Sequence, residues 1–286
     1  MKKQVVLYHA NCYDGFGAAW AAWARLGESA DYLPVLYGNP PPDLLECEVL
    51  YILDFSYEPG ELADLIEKVP HITLLDHHKT AQATLAGIGH SVDLENLKNP
   101  QPGLFVQFDM KESGASLAYD YFFNNPTHNM IHRPAMINYL KDRDLWVFAL
   151  AKSQEINVAV RSYPFDFKVW NRDVMAPESH MRLMAEGTTI LKHQQQMVSE
   201  MCKQAQRLSV GGYIAPVVNA TVYFSEVGDL LCQQFPDAPF AAYYLDRADG
   251  KRQWGLRSRG EFDVSEVAKL YGGGGHKNAA GFTTML

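Results

Sequence analysis

Acidic and imidazole side chains directly follow two short apolar runs of the sequence. Asp76–His78 comes after Ile72–Leu75, and Asp54 comes after Val49–Leu53. Carboxylate and imidazole groups together suit Mn²⁺, Fe²⁺ or Zn²⁺. Because successive side chains of an extended chain point to opposite sides, the two adjacent histidines can divide the work, one binding metal and the other facing a substrate.

Other candidate ligands occupy similar positions along the chain. The apolar run Val5–Tyr8 ends at His9, and Asp14 follows it. Asp142 and Asp144 follow a predicted helix, and the sequence leaves open which of the two joins a cluster. Taken singly, each residue has an ordinary explanation as a buried histidine, a turn or a solvated helix end. Their shared position after predicted strands favours a metal site.

A second group of residues is suited to binding phosphate. The four glycines Gly272–Gly275 precede His276 and Lys277. Such a run is costly in chain entropy and is expected where backbone amides approach a ligand closely. It lies between a predicted helix and an apolar segment, which argues against a flexible linker. Upstream, Arg257 and Ser258 lie on a predicted strand, and arginine suits bidentate phosphate binding, although an exposed strand position is the alternative.

The elements that must position these residues alternate between strands and helices. Apolar runs of four to five residues are typical of buried parallel strands. Strands that alternate with helices predict a parallel sheet, and ligand sites in such sheets lie at the carboxyl ends of the strands. The predicted helices of this region are Phe16–Leu26, Gly60–Val69, Gly114–Phe123 and Ala135–Lys141.

The second part of the chain predicts a separate, smaller domain. The long polar segment Met181–Leu208 indicates a connecting helix that ends before Gly211 and Gly212. The fold class is therefore α/β, with a parallel-sheet domain at 1–180, a linker helix at 181–210 and a smaller α/β domain at 211–286. The segment Val158–Pro177 has no pattern that we can interpret. Predicted elements of the second domain are the strands Pro216–Val222, Phe240–Asp246 and Trp254–Ser258 and the helix Val264–Tyr271.

Composition narrows the classes of function. The chain has 286 residues and a net charge of −8, from 33 acidic and 25 basic residues. Proteins that grip long duplexes usually present a basic surface, so that class is disfavoured. The four cysteines are scattered, which indicates a reducing compartment. We find no signal-peptide pattern and no apolar stretch of about 20 residues, and we expect a cytoplasmic protein without a membrane segment.

In their order along the chain, these motifs resemble the DHH phosphoesterase superfamily with a C-terminal DHHA1 domain, in its oligoribonuclease and nucleotide phosphodiesterase branch. The matching segments are His9–Gly15, Leu53-Asp54, Leu75–His78, Asp142, Leu256–Ser258 and Gly272–Phe282.

The resemblance implies a catalytic centre in a cleft between the two domains and usually two Mn²⁺ ions, with Mg²⁺, Fe²⁺ or Zn²⁺ as alternatives. It implies that Asp54 bridges the ions, that His78 meets the scissile phosphate or assists the leaving group, and that Asp76 orients the histidines. The implied metal ligands are His9, Asp14, Asp54, His77 and Asp142. The implied substrate-binding residues are Arg257, Ser258, Gly273, Gly274, Gly275 and His276.

One departure from the family pattern concerns the first motif, which usually carries two acids as D-x-D. Here the segment is Cys12-Tyr13-Asp14, so Cys12 stands in place of the first acid, and Asn11 could offer a neutral oxygen. Loss of one carboxylate weakens one metal position, whereas a thiolate ligand favours zinc. The number and identity of the metals are therefore open.

The resemblance implies an enzyme, a phosphoesterase or exonuclease that uses metal-activated water. Our first choice of substrate is a short oligoribonucleotide, followed by a cyclic or linear dinucleotide and then a nucleoside bisphosphate. The rival from another class is a non-catalytic nucleotide sensor, in which the C-terminal domain binds nucleotide beside a decayed metal site. The sequence leaves the oligomeric state open, with a homodimer among the options.

Overall fold

The chain divides into two compact units, Met1–Ile190 and Leu191–Leu286. They are seen in a computed structural model that describes residues 2–92, 102–123 and 133–286. Each unit has its own sheet and its own apolar core.

The first unit contains a sheet to which the described residues contribute six strands. These are β1 (Gln4–His9), β2 (Ala30–Val35), β3 (Val49–Leu53), β4 (His71–Asp76), β5 (His90–Ser91) and β6 (Gly103–Phe108). The strand order is β2-β1-β3-β4-β6-β5, and all neighbours are parallel. The predicted parallel α/β class is confirmed.

Helices cover both faces of this sheet. They are α1 (Tyr13–Leu26), α2 (Pro59–Lys68), α3 (Lys79–Thr84), α4 (Gly114–Phe123), α5 (Ala135–Asp144), α6 (Ser153–Val160), α7 (Phe167–Val169) and α8 (Ser179–Cys202). A short π-helical turn, Trp170–Val174, follows α7. None of the helices in the described ranges has the length and apolar character needed to cross a bilayer.

The apolar strands are buried on both faces because alternate side chains enter different cores. Val6 and Leu53 pack with α1, α4 and α5 in one core. Val5, Leu7 and Ile52 pack with α2 in the other. Two buried faces explain why the strands are continuous apolar runs rather than alternating patterns.

The order in which strands are added to the sheet reverses at β1, which pairs with β2 on one side and β3 on the other. From β1 the chain first adds β2 at one edge and then crosses back to add β3 on the opposite side of β1. In open α/β sheets, ligands bind outside the carboxyl ends of the strands at such a switch point. The ends of β1 and β3, which carry His9 and Asp54, lie at this position.

The segment Val158–Pro177, which the sequence left uninterpreted, completes the core over α1. Trp170 is fully buried, and its ring lies 4.8 Å from that of Phe16, edge to face. Phe167 stacks on Phe16 at 4.8 Å and on Trp23 at 5.6 Å. The segment therefore stabilises the helix that begins beside the strand ends.

The second unit has a mixed sheet with an apolar cluster on each face. The elements are β7 (Gln206–Val210), β8 (Tyr213–Asn219), α9 (Phe224–Gln234), β9 (Ala241–Asp246), β10 (Lys251–Arg257), α10 (Val264–Lys269), β11 (Gly274–His276) and β12 (Ala279–Met285). The strand order is β11-β12-β10-β9-β8-β7. Helix α10 packs on one face of the sheet, and α9 with the end of α8 packs on the other.

The connecting helix is shorter than the sequence predicted. Helix α8 ends at Cys202 rather than continuing to 208 or 210, and Gln206–Val210 forms β7. Strand β7 pairs antiparallel with β8, so Gly211 and Gly212 form the hairpin turn, both with positive φ, rather than a helix end. Four of the five β7 residues are exposed on this edge strand, so the segment lacks an apolar strand pattern.

Candidate metal centre

The carboxyl ends of three neighbouring strands bring imidazole and carboxylate groups together. His9 ends β1, Asp54 follows β3, and Asp76 ends β4. The strands β1, β3 and β4 are consecutive in the sheet. The predicted convergence of these residues at one edge of the sheet is therefore present in the structure.

Asp54 lies at the centre of the cluster and presents its two oxygens to different neighbours. Its Oδ1 lies 3.1 Å from His77 Nε2, and its Oδ2 lies 3.5 Å from His9 Nδ1. The side chain is 1% exposed. The backbone has φ 64°, a left-handed conformation that aspartate tolerates better than most residues. This turn lets the chain leave β3 while the carboxylate stays between β1 and β4.

Two glycines make room for that carboxylate. A Cβ atom on Gly114 would lie 2.4 Å from Asp54 Cβ. A Cβ atom on Gly15 would lie 2.4 Å from the His9 carbonyl oxygen and 3.1 Å from Asp54 Oδ2. These are closer approaches than van der Waals contact permits. The absence of side chains at positions 15 and 114 therefore allows helices α1 and α4 to begin directly against Asp54.

Asp14 connects the cluster to the beginning of α4. Its carboxylate accepts hydrogen bonds from the amides of Gly114, at 2.5 Å, and Ala115, at 3.1 Å. An anion at a helix N-terminus is favoured by the unpaired amides and the helix dipole. Asp14 Oδ2 also lies 3.8 Å from His77 Nε2. The carboxylate thus contacts the helix end and the cluster at once.

Asp144, not Asp142, lies beside the cluster. Asp144 Oδ2 is 3.5 Å from His77 Nε2. The Asp142 carboxylate instead accepts the amides of Ala149, at 2.8 Å, and Leu150, at 3.2 Å, and so supports the loop after α5. Residues two apart on a helix point about 200° away from each other, so only one of the two can face the strand ends. Asp144 therefore replaces Asp142 in the candidate ligand set.

Asp76 is buried and contacts both of the histidines that follow it. Fully buried, it accepts hydrogen bonds from Ser56 Oγ at 2.6 Å and from the amide of His77 at 2.7 Å. Its Oδ1 also lies 2.7 Å from His78 Nδ1. This contact restricts the orientation of the His78 ring. Ser56 was not identified from the sequence, because a serine two residues after Asp54 has no distinguishing pattern.

A further acid positions the helices on either side of the site. Glu112 precedes α4 and accepts hydrogen bonds from Ser116 Oγ and Lys141 Nζ, both at 2.7 Å. Arg133 Nη1 lies 2.9 Å from Glu112 Oε2, in an ion pair. Because Lys141 belongs to α5, Glu112 fastens the start of α4 to the helix that carries Asp144.

Cys12 lies with the ligand candidates. It immediately precedes α1, and its sulfur, an imidazole nitrogen of His9 and a carboxylate oxygen of Asp54 lie within 4.8 Å of one another. Asn11 has φ 56°, which turns the chain between β1 and this position. The structure thus places the cysteine that interrupts the acidic motif among the groups that could hold an ion.

The protonation equilibria of the cluster reflect its excess of negative charge. Burial and the charge of Asp54 raise the pKa of Asp14, and they also raise the pKa of Asp144. Although burial acts to lower it, the hydrogen bond to Asp54 and the neighbouring carboxylates raise the pKa of His77 to about 11. Burial and the surrounding carboxylates also raise the pKa of the Cys12 thiol. In the absence of a cation, protons therefore supply the compensating positive charge.

The donor set fits divalent cations. Asp14, His77 and Asp144 present ligand atoms within 4.8 Å of one another, and His9, Cys12 and Asp54 do the same. Asp54 Oδ1, which faces His77, connects the second set to the first. Mutually repelling buried carboxylates with imidazoles among them are relieved when a cation replaces the protons. The two sets therefore lie next to each other, and Asp54 and His77 are in contact where they meet.

The residues predicted to bind phosphate lie in the second unit. The Arg257 guanidinium donates to Ser225 Oγ at 2.9 Å and lies 5.7 Å from the centre of the Tyr243 ring. The Ser258 hydroxyl donates to the Phe262 carbonyl at 2.7 Å and so organises the following turn. Arg257 is thus directed towards the start of α9, whereas the hydroxyl of Ser258 has a structural partner.

The glycine run is partly a strand rather than a free loop. Gly274 and Gly275 belong to β11 with His276, paired with β12. A Cβ atom on Gly273 would lie 2.1 Å from the Gly281 carbonyl oxygen, and Gly275 has φ 139°. Close backbone packing therefore accounts for glycine at 273 and 275. The role of this segment in phosphate binding stays a prediction.

Comparison with known proteins is consistent with this architecture. No family model matches the chain. The uncharacterized protein R106 of Acanthamoeba polyphaga mimivirus is 27% identical over 97% of the chain, which spans 66% of that protein's length. Among solved structures, the DHH domain of PF0399, a member of the S1p family of ribosomal proteins, matches 100% of the chain and 83% of its own, with 12% identity and a TM-score of 0.56. The chain has the DHH-domain fold.

The exonuclease RecJ bound to manganese is another solved structure that is similar to the chain. It covers 99% of this chain and 86% of its own, with 16% identity and a TM-score of 0.49. In this chain, the tripeptide with the one-letter sequence DHH is Asp76–His78. It lies at the carboxyl end of β4, where the Asp76 carboxylate contacts the His78 ring.

Proposed function

We propose that this protein is a metal-dependent phosphoesterase that hydrolyses short oligoribonucleotides or small nucleotides. The observation that carries the proposal is the position of Asp54, whose two oxygens face two different sets of metal-binding groups. Two cations held side by side by a shared carboxylate would stabilise the attacking and leaving oxygens of an in-line phosphoryl displacement. The DHH fold supports the same class of chemistry.

The proposed ligand set contains donors from five segments of the first unit, namely β1, α1, α5 and the turns that follow β3 and β4. The cations would supply positive charge that activates water and balances charge on the phosphate. Asp14 also holds the N-terminus of α4, so it fixes the position of the cluster as well as contributing an oxygen. The proposed ligands are His9, Asp14, Asp54, His77 and Asp144.

We assign His78 to the reacting phosphate and Asp76 to its orientation. Although burial acts against it, the Asp76 carboxylate raises the pKa of His78. The imidazole therefore keeps its proton at higher pH than an isolated histidine would. A protonated, oriented imidazole is suited to donate a hydrogen bond to a phosphate oxygen or a proton to the leaving oxygen.

In the second unit, we propose Arg257 and His276 as phosphate-binding residues. Arginine binds phosphate in a bidentate manner, and the Arg257 guanidinium already lies beside a hydroxyl at the start of a helix. The net charge of −8 supports a substrate with few phosphates over a long duplex. A short oligoribonucleotide is our first substrate, and dinucleotides and nucleoside bisphosphates follow.

The test is hydrolysis of a 5′-labelled diribonucleotide by the purified protein with Mn²⁺, followed by separation of the products. Release of labelled mononucleotide is expected. Asp54→Asn keeps the size of the side chain and its tolerance of positive φ but removes the bridging charge. We expect turnover to fall by at least about 10²–10³-fold, the range seen when one charge-stabilising group is lost.

The matched control is Asp43→Asn, an acid in an exposed loop, which should leave turnover unchanged. Tight nucleotide binding without turnover, unaffected by added metal, would favour the nucleotide sensor instead. Turnover that survives chelation and Asp54→Asn would remove the metal centre from the mechanism.

A further inference from the structure

The two candidate metal positions differ in the chemistry of their donors. The position formed by Asp14, His77 and Asp144, which we call the oxygen-rich position, offers two carboxylates and one imidazole, with Asp54 Oδ1 adjacent to His77. The position formed by His9, Cys12 and Asp54, which we call the sulfur position, offers one imidazole, one sulfur and one carboxylate. Only the sulfur position contains a soft donor.

A cysteine is unusual at the position before a helix. The residue there is usually Ser, Thr, Asp or Asn, because its side-chain oxygen accepts an amide of the first turn. Cys12 occupies that place before α1, close to the backbone amide of Gly15. Its sulfur also lies within 4.8 Å of the ligand atoms of His9 and Asp54, which come from two different strands.

We propose that Cys12 is a metal ligand and makes the sulfur position selective for a thiophilic ion such as Zn²⁺, while the oxygen-rich position takes a hard ion such as Mn²⁺ or Mg²⁺. Thiolates select zinc over manganese, whereas carboxylates suit manganese and magnesium. Coordination requires the thiolate, so the Cys12 proton passes to solvent as the ion binds. This inference rests on the proposed function, because both assume a metal centre that shares Asp54.

Co²⁺ is the probe, because it occupies zinc sites and a thiolate–cobalt bond gives charge-transfer absorption in the near ultraviolet. The full chain is freed of metal, kept reduced with a phosphine and titrated with Co²⁺ while absorption is recorded. Binding stoichiometry is followed separately by calorimetry. We expect the charge-transfer band in the unmodified protein and its removal by added Zn²⁺ but not by equimolar Mn²⁺.

Four variants make the assignment specific. Cys12→Ser should lose the band and weaken Zn²⁺ binding by at least about 10–100-fold, the cost of losing even an outer-shell partner. Cys12→Asp should lose the band and shift preference from Zn²⁺ towards Mn²⁺. Cys232→Ser is the matched control, since Cys232 is also partly exposed but lies in the second unit, and it should keep the band. Asp144→Asn should also keep it.

The outcomes separate this inference from the proposed function. Co²⁺ binding without a charge-transfer band, or a band that persists in Cys12→Ser, overturns the role of Cys12 and leaves the shared metal centre standing. No binding of Co²⁺, Zn²⁺ or Mn²⁺ by the folded protein overturns both. Circular dichroism of each variant verifies that a lost band does not come from a lost fold.

Discussion

Asparagine substitutions at Asp142 and Asp144 should have opposite effects, although the two residues are separated by a single arginine. Asp144 lies beside His77 and other carboxylates, whereas Asp142 accepts two backbone amides of the following loop. We predict that Asp144→Asn stabilises the metal-free protein and weakens metal binding. We predict that Asp142→Asn destabilises the fold and leaves metal affinity of the folded protein nearly unchanged.

The magnitudes follow from distances in the cluster. At an effective dielectric constant of about 20, a carboxylate of Asp14 within 4.8 Å repels Asp144 by about 3 kcal/mol or more. The carboxylate of Asp54 adds further repulsion of Asp144. By the same relation, protonated His77 at 3.5 Å attracts Asp144 by about 5 kcal/mol. Burial and the Asp54 charge raise the pKa of Asp144, so the balance disfavours its carboxylate. We expect a net gain of order 1 kcal/mol for Asp144→Asn.

Asp142→Asn loses one of two charge-assisted hydrogen bonds, because the amide nitrogen of asparagine cannot accept from a backbone N–H. The expected cost is roughly 2 kcal/mol, within the range for hydrogen bonds to charged groups. The loop it supports contains Trp146 and Phe148, both with positive φ. Such conformations are strained and need support from their surroundings, so the loop should loosen in this variant.

The assay is urea unfolding of both variants, once with chelator and once with saturating Mn²⁺, together with calorimetric titration of the metal. Asp144→Asn should gain stability with chelator and lose most of the stabilisation that Mn²⁺ gives the unmodified protein. Reversed results, with metal affinity lost in Asp142→Asn and kept in Asp144→Asn, would refute the assignment of Asp144 and restore Asp142 to the ligand set.

Three further predictions concern packing, pH and substrate. Gly114→Ala forces a Cβ atom to within 2.4 Å of Asp54 Cβ. It should therefore lower the free energy of unfolding, measured in urea, by about 1–3 kcal/mol and remove most of the turnover. Gly60→Ala is the control, because its Cβ atom would meet nothing within 4 Å, and it should keep both stability and turnover. Burial raises the pKa of Glu112, but its cationic partners outweigh burial and lower the pKa below its usual value. The stability that the Glu112 carboxylate gives the fold is therefore present at neutral pH and is lost as pH falls through the folded-state pKa. Glu112→Gln should therefore cost roughly 1–2 kcal/mol at pH 7, with a smaller difference in acid; an equal cost in acid would contradict the ion pairs as its cause. Arg257→Lys should raise KM for a dinucleotide with little change in kcat, because lysine keeps the charge but not the bidentate geometry; an unchanged KM would remove Arg257 from substrate binding.

The sequence predicts the first sheet well because burial on both faces makes its strands unmistakable apolar runs. Strand Val49–Leu53 and helix Gly114–Phe123 have the predicted bounds. The residues at the strand ends could be found for the same reason, since the end of an apolar run marks the edge of a parallel sheet. His9 and Asp54 are therefore accessible to prediction without coordinates.

What the sequence could not settle depends on contacts between distant segments. The choice between Asp142 and Asp144 depends on how α5 is rotated about its axis. The segment Gln206–Val210 begins with three residues that suit a helix, and its pairing with β8 makes it an edge strand. The glycines of β11 match a nest for anions, yet the positions at 273 and 275 are explained by close approach to β12.

The Asp54 side chain is closely packed between two glycines, and this packing limits which residues can be changed to alter the ion preference of the centre. An acid one methylene longer has no space there, so Asp54→Glu should be as harmful as removal of the charge. Cys12 and Asp144 are instead partly exposed, so a change of side-chain length should cost less at these positions. Libraries that aim to retune ion preference should therefore diversify those two positions and keep 15, 54 and 114 fixed.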